Sequence, residues 1–340
     1  MTAGREVTVV GAGAIGGFVA ACLCAAGIRA TVSDSNQQHI AAIARRGLRV
    51  TGALDLLAHP YATEPEGLPY GLKTVLLAVK ASDTEAALDV IAPRLAPDGC
   101  VVSLQNGLGV YTIAARVGDE RTVGAFLTFG GHYVSPGEVL YGGAGSLRIG
   151  ELDGSITERV RELVSLLSNA HPAEATANIH AFIWAKVALG AFYFATALAD
   201  ADVPEVIGSA PHRQALQRLV GEVASIAYTQ GIECESVDGF FPDAFRTGDQ
   251  QRIDSSWRAQ LEYWGAQMEK RTGIWRDLAE RHRPTEVGGI LGLAVERARA
   301  RQLSVPLLTR TIELVREVEA GTRPLGWGNL DDLARLVESP

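Results

Sequence analysis

A single lysine stands in the most apolar stretch of the chain. Residues 181–199 read AFIWAKVALGAFYFATALA, and Lys186 carries the one charge among them. A helix that is apolar all round is a buried helix. An ammonium inside it is costly unless it is paired or does chemistry. Two other readings fit the same residues. The lysine stem can run along a core helix to the surface, or the segment can span a membrane, at a cost of about 2.5–3.5 kcal/mol for the central lysine. Glu286 opens a helical pattern over residues 285–300, where a carboxylate suits the dipole or serves a site. Lys80 and Asn106 follow the apolar runs TVLLAV (74–79) and CVVSL (100–104). Open α/β sheets bind ligands just beyond such strand ends, although each residue reads equally well as an ordinary loop residue.

Those residues need a scaffold, and the first 34 residues describe one. The run EVTVV at 6–10 reads as a buried strand, followed by Gly11-Ala12-Gly13-Ala14-Ile15-Gly16 and a helix of small residues ending at Gly27. Gly11 permits the tight turn and Gly13 a close backbone approach to a pyrophosphate. Gly16 permits close packing of helix on strand, and the N–H groups that start the helix, at Ala14 and Ile15, face the phosphates. A lone glycine motif is weak evidence. Here it follows a strand, opens a helix and precedes Asp34, at the end of a second strand (29–33), by 18 residues. A carboxylate there accepts from a ribose 2′-hydroxyl and repels a 2′-phosphate. None of Ser35, Asn36, Gln37 and Gln38 is basic, so NAD(H) is favoured over NADP(H).

Strand and helix then alternate, with further strands at 122–129 and 146–149, and after residue 174 the pattern turns helical. The fold class is α/β: a Rossmann domain with a doubly wound, mostly parallel sheet over 1–170, plus an all-α domain over 171–340. Residues 236–270, with Phe240, Phe241, Phe245, Trp257, Tyr263 and Trp264, read either as a lid or as the interface arm of a homodimer. The net charge of −8, without a basic cluster, argues against nucleic-acid binding. Cys22, Cys24, Cys100 and Cys234 lack metal-ligand spacing, so no metal is expected. A secretory leader is not evident, and a cytoplasmic protein off the membrane is expected.

Taken together, these motifs resemble the ketopantoate reductase family over nearly the whole chain. The carriers are VTVVGAGAIGG, LLAVKASDTEAAL, VSLQNGLG, FGGHYVSPGEVLYGGAGSLRIGE, the IWAK helix and RHRPTEVGGILG. The resemblance implies an N-terminal Rossmann domain, a helical domain and a site in the cleft. It implies Lys186 as the general acid that protonates a carbonyl oxygen and Glu286 as the residue that binds substrate hydroxyl or positions the lysine. Asn106 would order lysine and nicotinamide, and Lys80 would lie near the cofactor. The chain also departs from the family. Gly190 and Phe194 replace asparagines four and eight residues after the lysine, and Ile274 replaces a serine twelve before the glutamate. Gly288 and Leu291 replace an aspartate and an asparagine after it, and Ser35 replaces a basic contact to a 2′-phosphate.

The expected function is reduction of a small 2-oxo acid or related ketone by NAD(P)H, on a carbonyl compound more apolar or larger than ketopantoate. Two alternatives share the layout. An opine- or imine-type dehydrogenase would need a His–Asp pair, for which His180 and His282 are weak candidates. A dinucleotide-binding sensor would need no chemistry at all.

Overall fold

The structure, a computed structural model, describes residues 6–338. It divides into two compact units, the first ending at Ile179 and the second beginning at His180. The sequence places this break near residue 170. The boundary falls later because a three-residue strand, Ala173–Ala175, adds to the edge of the first unit's sheet.

The first half of that unit contains β1 (Glu6–Val10), β2 (Arg29–Ser33), β3 (Leu48–Gly52), β4 (Leu56–Ala58), β5 (Tyr61–Thr63) and β6 (Leu72–Leu77). The second half contains β7 (Leu95–Ser103), β8 (Thr122–Leu127), β9 (Gly131–Ser135), β10 (Glu138–Tyr141), β11 (Leu147–Glu151) and β12 (Ala173–Ala175). Eight of them form one sheet in the order β12-β11-β8-β7-β6-β1-β2-β5. Every neighbouring pair in it is parallel except β8 with β11. Central parallel strands are covered on both faces, which is why β1, β6 and β7 are runs of Val and Leu rather than alternations. The other four strands make a small sheet, β4-β3-β10-β9.

Helices α1 (Ala14–Ala25), α2 (Gln37–Arg46), α3 (Thr84–Ile91), α4 (Gly109–Val117) and α5 (Glu158–Leu167) complete this unit. Helix α1 packs against β2 of the large sheet and β10 of the small one. Small residues on most of its faces allow both approaches. Burial also pushes the Cys22 thiol up to about 11, so it stays protonated and inert.

The second unit comprises α6 (Ile179–Ala197), α7 (Val203–Gly208), α8 (Ala210–Tyr228), α9 (Pro242–Thr247), α10 (Gln250–Gly265) and α11 (Gly273–Ala279). A five-residue π-turn (Gly288–Gly292), α12 (Leu293–Ala300), α13 (Pro306–Glu319) and α14 (Gly328–Glu338) follow. By length and composition α6 could cross a membrane, but 67% of its apolar window is buried inside the fold. Trp184, Phe192 and Phe194 are among its fully buried side chains. The aromatics of 236–270 mostly join the same core: Phe240, Phe245, Trp257 and Trp264 are buried. The Phe192 ring meets Trp257 at 5.2 Å and Phe240 at 6.4 Å. Leu261, Tyr263 and Met268 of the same stretch stay exposed.

Candidate active site

The glycine turn is built as its spacing predicts. Gly11 adopts φ +95°, and a Cβ there would lie 2.6 Å from the Val79 nitrogen. A Cβ on Gly16 would lie 1.9 Å from the Gly11 carbonyl. Around Gly13 the missing Cβ faces open space, with nothing within 4 Å. Gly13 is the N-cap of α1, no side chain caps the helix, and Gly13, Ala14 and Ile15 are partly exposed. The first-turn N–H groups have no intrahelical acceptor, so this open corner suits a pyrophosphate, and the residues present fit a dinucleotide.

Asp34 follows β2 and closes the turn. Its Oδ2 accepts from Ala12 N–H at 2.8 Å and its Oδ1 from Asn36 N–H at 2.9 Å. The Ala12 carbonyl is held from the other side by His39 Nε2 at 2.8 Å, while Gly137 N–H donates to His39 Nδ1 at 2.8 Å. Both bonds together require the tautomer with its proton on Nε2. Sequence spacing does not reveal this buried histidine, because its partners lie 27 and 98 residues away.

Lys80 follows β6, Asn106 follows β7, and both are exposed. Because β7, β6, β1 and β2 are consecutive parallel strands, the Asn106, Lys80, Gly13 and Asp34 loops all leave by one edge of the sheet. Three strand spacings separate the outermost two, about 14 Å, a span that suits an extended dinucleotide. Gln105 fastens two of these loops together by donating to the Val79 carbonyl at 3.0 Å and to Thr84 Oγ1 at 2.8 Å. A cavity of about 520 Å³ lies at the opposite, amino edge, lined by Glu6, Arg29, His59 and Tyr61. It holds none of these groups.

In the second unit α6 is partly accessible at His180 in its first turn and along one stripe: Phe182, Lys186, Gly190 and Tyr193. The spacings of four, four and three keep them on one face. Lys186 loses hydration, which pulls its ammonium down to about 8 against the opposing pull of the Asp238 and then the Glu286 carboxylates. Tyr193, raised chiefly by burial, donates to Gln260 Oε1 at 2.5 Å. At Gly190, one turn beyond the lysine, an added Cβ would meet nothing within 4 Å.

Glu286 stands just before the π-turn rather than inside the first turn of a regular helix, as the sequence suggests. Gly288, Gly289 and Gly292 weaken α-helical packing here, and the turn widens to the i→i+5 pattern. The Glu286 carbonyl still accepts from Ile290 N–H at 2.9 Å. Thr285 is anchored to α13, its N–H and hydroxyl both donating to Glu319 Oε1 at 2.6 Å. Backbone on either side of Glu286 is thereby fixed.

One His–Asp pair escapes the sequence reading. His212 Nε2 lies 2.8 Å from Asp331 Oδ1, with Ser209 Oγ at 2.7 Å from Nδ1. It ties the first turn of α8 to α14 beneath the Trp327 ring. It is not among the charges that act on Lys186. His180 is half-buried and His282 is exposed at φ 47°.

Family models match both units: the ketopantoate reductase PanE/ApbA model over residues 7–154, and its C-terminal model over residues 178–319. The chain belongs to the ketopantoate reductase family. It is thus an oxidoreductase of the nicotinamide-dependent kind that acts on CH–OH groups. The 2-dehydropantoate 2-reductase of Archaeoglobus fulgidus is 30% identical, covering 93% of this chain and 99% of the relative. That of Halobacterium salinarum is 28% identical, covering 92% and 98%. Among solved structures, D-mandelate dehydrogenase with NADH and anilino(oxo)acetate superposes with a TM-score of 0.78 at 21% identity, covering 93% of this chain and 99% of that one. A ketopantoate reductase from Ralstonia eutropha gives 0.77 at 24%, with the same coverage.

The residues that the sequence reading sets apart from the family pattern have these positions. Gly190 lies on the accessible stripe beside Lys186, and Ile274 is partly exposed on α11. Phe194 is 1% exposed and turned into the core, whereas Tyr193, one residue earlier, is partly exposed. Leu291 is fully buried, and Gly288 lies against Arg316.

Proposed function

We propose that this member of the family is an NAD(H)-dependent reductase of a 2-oxo acid bearing an apolar or aryl group, with Lys186 as general acid. The stripe on α6 carries this reading. On that face Lys186 stands one turn after Phe182 and one turn before Gly190, where a missing Cβ leaves open space, with Tyr193 beyond. Where the family holds an asparagine, a site without that side chain has room for bulk and one polar group fewer to satisfy. The fold match to D-mandelate dehydrogenase, seen with an aryl oxo acid analogue and NADH, points the same way.

The nicotinamide, when bound, supplies hydride to the carbonyl carbon. Negative charge then builds on the carbonyl oxygen, and the Lys186 ammonium both stabilises it and gives up a proton from Nζ. Glu286 positions that ammonium or accepts from substrate. Gly13, Ala14 and Ile15 bind the pyrophosphate, Asp34 the adenosine ribose, and Lys80 and Asn106 lie toward the rest of the cofactor. Asp34, with no basic neighbour at Ser35, favours NAD(H).

The test is turnover of phenylglyoxylate, branched 2-oxo acids and ketopantoate with NADH and NADPH, in the wild type and Lys186→Ala. The expected result is NADH-linked reduction of the apolar acids, cut at least about 10²-fold by the substitution while NADH binding persists. Efficient NADPH-linked turnover of ketopantoate would refute both the substrate and the cofactor assignment.

A further inference from the structure

Ala12, in the middle of the glycine turn, is held on both of its polar groups. Its N–H donates to Asp34 Oδ2 and its carbonyl accepts from His39 Nε2, each at 2.8 Å. Asp34 Oδ1 accepts from Asn36 N–H at 2.9 Å, and Asn36 Oδ1, capping α2, accepts from His39 N–H at 3.1 Å. These bonds close a circuit through Asp34, Asn36, His39 and Ala12.

The His39 ring is braced from the small sheet. Gly137, in the turn between β9 and β10, donates its N–H to His39 Nδ1 at 2.8 Å. That turn is itself fixed: the Gly137 carbonyl accepts from Arg49 N–H at 2.8 Å, and Arg46 of α2 donates to the Pro136 carbonyl. Gly137 has φ +82°, and a Cβ there would crowd the Ala42 Cβ at 3.2 Å. The Tyr133 ring meets the imidazole edge-on at 5.1 Å.

The peptide between Ala12 and Gly13 carries this bracing to the open corner at the start of α1. In a planar trans peptide the C=O and N–H point in opposite directions. The Ala12 carbonyl is turned toward His39, which is 1% exposed, so the Gly13 N–H is turned away from that buried ring. Gly13 is partly exposed, with open space beside it. A donor fixed before its ligand arrives needs no ordering on binding. Without the imidazole the buried Ala12 carbonyl would lose its donor. Rotation of the peptide would then offer a phosphate a carbonyl oxygen in place of an N–H.

We propose that His39 is a positioning residue for dinucleotide binding: braced by the β9–β10 turn, it holds the Ala12 carbonyl inward and so aims the Gly13 N–H at the pyrophosphate. The inference rests on reading Gly13 as a pyrophosphate contact. The buried ring acts through the peptide and does not touch the cofactor.

Two amides separate the two ring bonds. In His39→Asn the short side chain keeps an acceptor for Gly137 N–H and loses its reach to Ala12. In His39→Gln the longer one keeps a donor for the Ala12 carbonyl and gives up Gly137. Full-length protein is titrated with NADH and NADPH by fluorescence, well below the melting temperature of each variant. Both variants should melt below the wild type, but only His39→Asn should lose affinity for the tighter-binding cofactor, by about tenfold. Equal losses in the two variants, or none in His39→Asn, would overturn the proposal. In ¹⁵N-histidine spectra of the wild type, the His39 ring should carry its proton on Nε2 with and without cofactor, and a proton on Nδ1 would overturn it as well. Gly13→Val tests the reading underneath. Binding that survives it removes the pyrophosphate contact and the proposal together, whereas binding lost there but intact in His39→Asn removes the proposal alone.

Discussion

At the scale of the residue, Lys186 is a cation placed where water is scarce, and what matters is the balance between desolvation and two carboxylates. Desolvation prevails, and the ammonium titrates at about 8. In the proposed role of general acid the lysine must carry its proton into the transition state, which fixes the sign. Reduction should hold level below pH 8 and lose about tenfold per unit above it, whereas alcohol oxidation, which needs the free amine, should rise through the same range. A pH profile of kcat/KM in both directions checks this. A reduction limb that breaks near pH 10 would mean that the lysine is hydrated in the working enzyme.

Among the elements, the junction of α8 with α13 carries a comparable conflict. Glu222 on α8 caps α13 by accepting from Leu307 N–H at 3.1 Å and Leu308 N–H at 2.8 Å. Burial outweighs those bonds and raises its carboxyl from 4.5 to about 7. The folded state therefore binds its proton more tightly than the unfolded chain does. Stability falls as pH rises through that window, by up to about 3 kcal/mol from this one group. Glu222→Gln keeps an acceptor for the cap and removes the titration. Its melting temperature should lose the downward slope between pH 5 and 7 and exceed that of the wild type at pH 8. A variant that melts lower throughout would show that the charged cap, not the burial, dominates.

For the whole molecule, ligand binding is the property that integrates these parts. The cradle at Gly13, the Asp34 clamp and the loops after β6 and β7 exist only when the first unit is folded, so a dinucleotide binds the native state alone. At a hundredfold excess over Kd this adds about 2.7 kcal/mol, or roughly 5 °C in Tm. NADH should produce that rise and NADPH a smaller one, since a 2′-phosphate would face the Asp34 carboxylate. Equal shifts from both would remove the basis for a cofactor preference.

Periodicity, turn chemistry and spacing sufficed for the Rossmann unit up to Asp34, for the strand ends that place Lys80 and Asn106, and for the helical character of the second half. These features are legible because they are local. A glycine that must take φ +95° and a strand buried on both faces impose their residue types within a few positions. Lys186 and Glu286 could be singled out for the same reason, by one charge in an apolar run and one at a helix start. Contact across the chain decided the rest. His39 earns its place from partners 27 and 98 residues distant, and Phe240 packs on the Phe192 ring of a helix far earlier in the chain. Whether Phe194 or Tyr193 faces outward depends on how neighbouring helices rotate α6, since an apolar helix has no amphipathic pattern to orient it. Sequence determined which groups could do chemistry; tertiary packing decided which of them share an environment, because desolvation and charge act through space rather than along the chain.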